Sequence, residues 1–309
     1  MEIVITGASG FLGKNLVEYL SNLSFKVFGF GRSISHPYEN PNFIYKQISW
    51  DKYDEIIKLI SSRKIDFFIH LAGIQAKECE ENFEKCFDFN IDKTFKLAQV
   101  CQKYKVKNFL FASTIHVYKD GDHRNILKNV AIDNSNYSNS KLIVEYLLSS
   151  LSKKEVTNFA IMRLSNIIGK LKGTYHNKNN LLFAHDICFQ AISKNIIKLN
   201  SNPLTLRKFI PISFFCHQIY QLIKQENKSF SIFNFNYEVE LTLYELANIV
   251  REEAKILFDK EVSIETNEKY NLLKVKFDDL KKEQNNALIS DLREEIKNML
   301  IEIDSKYIK

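Results

Sequence analysis

The sequence predicts an α/β fold, a parallel β-sheet covered by helices on both faces, with a smaller mixed region toward the C-terminus. Short β-rich runs alternate with stretches whose apolar residues recur every three or four positions, the period of half-buried helices. At 309 residues the chain is long enough to bury such a sheet on both sides. Its 45% hydrophobic and 26% charged residues are those of a globular protein, and no apolar run reaches the length of a membrane span.

In order, the predicted strands are EIVIT (2–6), KVFGFG (26–31), FIYKQI (43–48), DFFIHLA (66–72), KNFLFAS (107–113) and TNFAIMRLS (157–165). Between them, LGKNLVEYLSN, YDEIIKLISS, NIDKTFKLAQVCQKY and SKLIVEYLLSSLSK have the apolar spacing of amphipathic helices. Strand and helix repeating at these lengths imply parallel pairing. After residue 165 the pattern loosens: GKLKGTYHNKNN (169–180) reads as a loop and LLFAHDICFQAISKN as a helix. NPLTLRKFIPISFFCHQIYQLIKQE passes from loop through an extended piece into a helix, and SIFNFN (231–236) is a further strand. TLYELANIVREEAKILF is a helix opened by Thr242 with Glu245 three positions on, a capping box. SDLREEIKNMLIEI is a last helix, with Ser290 and Asp291 at its start. The expected division is a main domain of residues 1–168 with approximately 209–236, and a smaller substrate-binding domain of 169–208 with approximately 237–309.

Composition narrows the function. The five cysteines, Cys79, Cys86, Cys101, Cys188 and Cys216, include no CxxC pair and read as buried hydrophobes of a reducing compartment rather than disulfide or zinc ligands. The net charge of +6 is scattered among glutamates, without the concentrated basic face a nucleic-acid binder needs, yet compatible with an anionic small substrate. A strand beginning at residue 2 leaves no room for a leader, so a cytoplasmic protein is expected, with neither nucleic acid nor membrane as partner. His123, His176, His185 and His217 show no metal-ligand spacing, and no metal is expected.

VITGASGFLGKNLVEYL places Gly7, Gly10 and Gly13 between the first strand and the first helix, with Ser9, Phe11 and Leu12 completing the turn. Gly7 suits a tight turn, Gly10 a close approach of pyrophosphate to the backbone, and Gly13 close helix packing, so the sheet is expected to be Rossmann-like and to hold a dinucleotide. At the end of the second strand Arg32 stands where an acidic residue would favour NAD; an arginine favours the extra phosphate of NADP, with NAD left open. Three further stretches fall at carboxyl ends of strands, where ligands bind in such sheets: HLAGIQAK (70–77), FASTIHVY (111–118) and MRLSNIIG (162–169). Leu71, Ala72 and Gly73 would pass close to the cofactor, His70 would pack below it, and Ser113 and Thr114 would offer hydroxyls. In YSNSK, Tyr137 is followed one helical turn later by Lys141, whose charge could bring the phenol down from about 10 and make it an acid/base at a carbinol carbon.

These stretches together resemble the extended short-chain dehydrogenase/reductases, the nucleotide-sugar epimerase, dehydratase and reductase group. TGASGFLG (6–13), HLAG (70–73), FNIDKT (89–94), FASTIHVY (111–118), YSNSK (137–141), RLSNIIG (163–169) and RKFIPI (207–212) occur in that family's order. The resemblance implies Tyr137 as catalytic acid/base, Lys141 on the cofactor ribose, Thr114 completing the triad, and Asn90 supporting the lysine or a water. It implies Asn166 and Arg207 on the substrate diphosphate, and a homodimer through the helices carrying Phe95, Val100, Val144 and Leu148, which could equally be intramolecular. The dehydratases' acidic pair is replaced by Ile115 and His116, so dehydration is not expected, while His116 stays a substrate-side candidate. Gln47 stands at an adenine-contacting acidic position, Gly169-Lys170 replaces a Gly-Pro, and Lys208 and Pro211 depart from the arginine motif. The expected activity is NADP-dependent 4-keto reduction of a nucleotide sugar with Tyr137 as proton donor. The alternatives are an NAD-dependent 4-epimerase and, in another class, a cofactor-binding regulator or scaffold.

Overall fold

The computed structural model describes residues 1–49, 53–118, 135–173, 181–226, 228–267 and 286–307. His123, His176 and most of the expected 169–180 loop lie outside the described residues. Along the chain come β1 (Glu2–Thr6), α1 (Phe11–Asn22), β2 (Lys26–Gly31), β3 (Phe43–Gln47), α2 (Asp54–Ser62), β4 (Phe67–His70), α3 (Ala76–Glu81) and α4 (Phe83–Cys86). A π-helical turn, Phe87–Asp92, runs into α5 (Lys93–Lys103), followed by β5 (Asn108–Thr114), a 3-10 turn at Ile115–Val117, α6 (Asn136–Ser152) and β6 (Asn158–Leu164). Then follow β7 (Asn166–Ile168), α7 (Phe183–Lys194), β8 (Ile196–Leu199), β9 (Leu206–Pro211), α8 (Ile212–Lys224) and β10 (Phe230–Phe235). β11 (Glu240–Thr242), α9 (Leu243–Phe258), β12 (Ser263–Thr266) and α10 (Asn286–Tyr307) complete the described chain.

Two compact units result: Met1–Ser165 with Cys216–Phe235, and Asn166–Phe215 with Asn236–Lys309. In the first, seven parallel strands run in the order β10-β6-β5-β4-β1-β2-β3. The order reverses between β1 and β4, and in such sheets a reversal opens a crevice at the carboxyl ends. One face carries Val4, Phe68, Phe109, Phe111 and Phe159 against Ile56 and Ile60 of α2, Leu97 of α5, and Val144 and Leu148 of α6. The alternate residues Ile3, Ile5, Ile69, Leu110 and Met162 are equally buried, so both faces are covered. Across three neighbouring strands Phe68, Phe109 and Phe159 occupy paired rungs, with ring centroids 5.3 and 5.7 Å apart.

The second unit contains a three-stranded sheet, β11-β9-β7, a two-stranded pair, β12-β8, and the helices α7, α9 and α10. Thr242 and Glu245 make the expected capping box on α9. The last helix departs from expectation. It begins at Asn286, so Ser290 and Asp291 lie within it rather than at its start. Asp291 instead accepts the Tyr237 hydroxyl at 2.7 Å, and Arg293 pairs with Glu252 and Glu253 at 2.5 and 2.6 Å.

The cysteine expectation is corrected in part. Cys101, Cys188 and Cys216 are buried thiols, but Cys79 and Cys86 are joined as a disulfide. On a continuous helix, residues seven apart would have Cα atoms about 10.5 Å apart, too far to bridge. Here Asn82 takes an extended conformation (φ −147°, ψ 93°) between α3 and α4, caps α4 by accepting the Lys85 N–H, and brings the two Cα atoms to 4.8 Å.

Truncating the central ring of the aromatic ladder, Phe109→Ala, leaves a cavity between rungs and is expected to cost about 3–5 kcal/mol. Urea unfolding followed by circular dichroism is the measurement.

Candidate active site

The glycine turn is built by contacts that only glycine tolerates. Gly7 has φ +74°, and a Cβ there would stand 2.8 Å from the Ala72 nitrogen and 2.9 Å from the Leu71 carbonyl carbon. A Cβ on Gly13 would meet the Gly7 backbone, so α1 packs directly on the turn. Gly10 is the N-cap of α1 without a side-chain hydrogen bond, and the helix's first turn holds no acidic residue. The positive end of the helix dipole is therefore left for an anion. Leu71 continues β4 by donating its N–H to the Thr6 carbonyl at 3.1 Å, which places Leu71, Ala72 and Gly73 beside the turn. At the end of β2, Gly31 lies against Ser9 and Tyr45, followed by the exposed Arg32, whose carbonyl accepts from Gln47 at 3.1 Å.

On α6, Lys141 is 6% exposed, an unusual placement for an ammonium. Its Nζ donates to the Ala112 carbonyl of β5 at 3.0 Å and lies 4.9 Å from the Phe111 ring centroid and 5.7 Å from that of Tyr137. Burial lowers its pKa to about 8, opposed by the Glu145 carboxylate one turn further along α6. A Cβ on Gly73 would come within 3.4 Å of Lys141 Nζ and 3.1 Å of Asn90 Oδ1, so the bare glycine leaves both groups open on that side. The partly buried Tyr137 does not show the expected depression: burial pushes its pKa up to about 12. With its pKa raised by burial, the phenol holds its proton.

Thr114 is buried at the end of β5, its Oγ1 accepting the His116 N–H at 3.2 Å; the His116 side chain is exposed. Ser113, expected to offer its hydroxyl to a ligand, donates it to Glu145 instead. Asn90 sits in the π-helical turn, accepts the Ile74 N–H at 2.9 Å, and donates to Ser140 Oγ at 3.2 Å. Buried His70 stands between Thr6 Oγ1 (2.7 Å) and Thr94 Oγ1 (3.0 Å); burial lowers its pKa to about 3, so it is neutral. Asn166 and Arg207 belong to the second unit. Asn166 donates to the Lys208 carbonyl at 3.1 Å, and Arg207 is exposed on the adjacent strand β9. Val144 and Leu148, weighed above as interface residues, are fully buried in the first unit's core.

Sequence reasoning missed the group beneath the lysine. Glu145, 3% exposed, forms an ion pair at 2.5 Å with Arg163 of β6, whose Nη1 donates to Tyr118 at 2.6 Å; Tyr118 in turn donates to Asn234 of β10 at 2.8 Å. The signal was present: an arginine inside the apolar strand NFAIMRL requires a buried counter-ion.

A glycine turn between β1 and α1, a buried lysine one helical turn after a tyrosine, and a parallel sheet whose order reverses between β1 and β4 are the features of a Rossmann-like α/β protein suited to a dinucleotide. Residues 3–234 match the model of the NAD dependent epimerase/dehydratase family, and the chain belongs to that family. It is 28% identical over 184 residues to a UDP-glucose 4-epimerase of Pisum sativum, covering 54% of this chain and 53% of that protein. The chain thus spans about half the length of the curated relatives it matches. In fold it is similar to the UDP-glucose 4-epimerase of Thermotoga maritima solved with UDP-glucose (TM-score 0.75, 17% identity, all of both chains). It is likewise similar to that of Thermus thermophilus solved with NAD (TM-score 0.76, 16% identity, 99% of this chain and 100% of the other).

Replacing Glu145 with Gln strands the Arg163 charge in the core, with an expected cost of about 3–5 kcal/mol in urea unfolding. The same change removes a group that raises the Lys141 pKa. The ammonium then gives up its proton at lower pH, and the alkaline limb of turnover is expected to move to lower pH in the variant's rate profile.

Proposed function

We propose that this chain moves hydride at a carbinol or keto carbon of a nucleotide-diphosphate sugar, as a 4-epimerase. The observation that carries this is the buried Lys141 ammonium, fixed by the Ala112 carbonyl one helical turn after Tyr137 and left open on the Gly73 side. The 4-epimerases among the relatives support the choice within the family. A dinucleotide suits the residues present: Gly7, Ser9, Gly10, Phe11, Leu12 and Gly13 would receive its pyrophosphate, Leu71, Ala72 and Gly73 would line its path, and Lys141, with Asn90 in support, would take its nicotinamide ribose. When bound, the nicotinamide supplies and takes up hydride.

The residues of the chain manage the proton. Tyr137, protonated in this geometry, gives its proton to an oxygen being reduced and recovers one from an alcohol being oxidised. Lys141 stabilises the intervening phenolate by its charge, and Thr114 hydrogen-bonds the same substrate oxygen and fixes its orientation. Asn166 and Arg207 are assigned to the substrate diphosphate, the guanidinium fork suiting phosphoryl oxygens. His116 is kept as a substrate-side residue of the β5 end. Self-association is assigned to the outward side of α6, where Ile143 and Tyr146 are exposed.

A second reading, 4-keto reduction with NADPH, is favoured by one observation: β2 ends in Gly31 and exposed Arg32 rather than a carboxylate that would bind an unphosphorylated ribose. The two differ in stoichiometry. An epimerase leaves its cofactor unchanged over many turnovers, whereas a reductase consumes one NADPH per sugar. Side-by-side fluorescence titration with NADH and NADPH tests Arg32: tighter NADPH binding that Arg32→Ala abolishes supports the reductase, and tighter NADH binding excludes it.

Tyr137→Phe is expected to leave dinucleotide binding within a few-fold and to lower kcat by about 10²–10⁴-fold, the usual contribution of a positioned acid/base. Unchanged turnover would remove Tyr137 from the chemistry. In the unsubstituted protein Lys141 carries its charge below its pKa of about 8 and loses it above, so kcat is expected to fall as pH rises through that value.

A further inference from the structure

Under the amino-terminal end of the Tyr137 helix lies a sulfur pair that the proposed chemistry does not use. Cys79 and Cys86 are both fully buried and form a small cluster with Ile74, against which Phe89 and Tyr137 pack. Asn90 Nδ2 points at this cluster, 3.3 Å from Cys79 Sγ and 3.7 Å from Cys86 Sγ. The same amide group reaches Ser140 Oγ at 3.2 Å, and Ser140 donates to the Tyr137 carbonyl at 2.7 Å. The sulfurs are thus one side chain away from the α6 turn that holds both Tyr137 and Lys141.

The site accommodates both oxidation states. As a disulfide the sulfurs only accept, and the Asn90 amide is placed to donate to them. As thiols they can donate, and each has a backbone carbonyl 3.9 Å away: Ile74 for Cys79 and Asn136 for Cys86. Reduction moves the sulfurs from bonding to van der Waals separation, within a cluster that Ile74 completes, against which Phe89 and Tyr137 pack and beside which the Asn90 amide lies. Residues 80–85 between the cysteines are all exposed, and α3 and α4 are six and four residues long. Such a segment opens locally at low cost, which gives a reductant its access.

We infer that Cys79 and Cys86 are a redox-modified pair, converted between disulfide and dithiol by low-molecular-weight thiols and disulfides, and that the disulfide holds Tyr137 and Asn90 in the working position. The balance is a two-electron exchange: two small thiols are oxidised to their disulfide as the Cys79–Cys86 bond breaks, and their two protons end on the protein thiols. The effect on turnover, though not the exchange itself, rests on the function proposed above.

The test is the intact chain equilibrated with oxidised glutathione or with dithiothreitol, then denatured and alkylated. Three labelled cysteines are expected after the first treatment and all five after the second; five labels under both would overturn the pairing, whatever the substrate. Turnover of UDP-glucose is expected to fall several-fold on reduction of the wild type and to be indifferent to dithiothreitol in Cys86→Ser. Equal responses of wild type and Cys86→Ser would overturn the coupling. Should UDP-glucose not turn over, which counts against the proposed function alone, the fluorescence of bound NADH replaces turnover as readout. A redox-dependent signal in wild type but not in Cys86→Ser supports the coupling, and no difference overturns it.

Discussion

A positive charge buried inside the first unit is the constraint from which most of its polar interior follows. Taking an ammonium out of water is costly unless donors, dipoles and counter-charge replace the lost solvent. For Lys141 those replacements are the Ala112 carbonyl, the face of Phe111 and the Glu145 carboxylate. Glu145, itself buried, is held by Arg163 and Ser113; Arg163 also meets Tyr118, which reaches Asn234 on β10. One charge therefore organises a chain of partners through α6, β5 and β6 to a strand that returns from late in the sequence. β10 sits at the sheet edge, pairing with β6 along Phe230–Phe235, and contributes Asn234 to the network.

The backbone works to the same end. Parallel strands align their carboxyl ends, so Thr6, His70 and Thr114 terminate at one edge of the sheet, and the glycine turn, Gly73 and the 3-10 turn after β5 extend from it. Where a side chain would intrude, there is none: Gly7 and Gly13 bring the turn, β4 and α1 into backbone contact. Where the helix register must shift, the π-helical turn at Phe87–Asp92 inserts a residue before α5, and Asn90 lies inside it. His70 is kept neutral by burial and held between two threonines, so the charge beside it belongs to Lys141 alone in that pair.

Much of this was legible in the residues. Short β-rich runs between helical spacings located the first six strands within a residue or two, because most of these strands are buried on both faces and so read as nearly continuous apolar runs. The glycine triad and the Tyr137–Lys141 spacing were readable because each lies within one short stretch of chain. Contacts that depend on a break or on distant chain were not readable. Cys79 and Cys86 meet only because Asn82 interrupts a helix, and Glu145 meets Arg163 across two elements. The start of α10 was misplaced because Ser290 and Asp291 resemble a cap, while Asp291 serves Tyr237.

The placement of Lys141 also bears on how, in the proposed epimerase, a single tyrosine would work in both directions. Burial holds Tyr137 protonated, with a pKa of about 12, while the Lys141 ammonium is engaged by the Ala112 carbonyl 5.7 Å from the Tyr137 ring centroid. A donor in that state is ready for a ketone but not for an alcohol. Abstraction requires the phenolate to be stabilised at the moment it forms, and a charge fixed nearby does this without reorganisation. The Ala112 carbonyl orients the ammonium and Glu145 favours its charged form, and in the proposed mechanism the phenol hydroxyl would meet the substrate. For the proposed epimerase, the network under Lys141 would therefore serve proton transfer in both directions, a demand that one-way donation does not make.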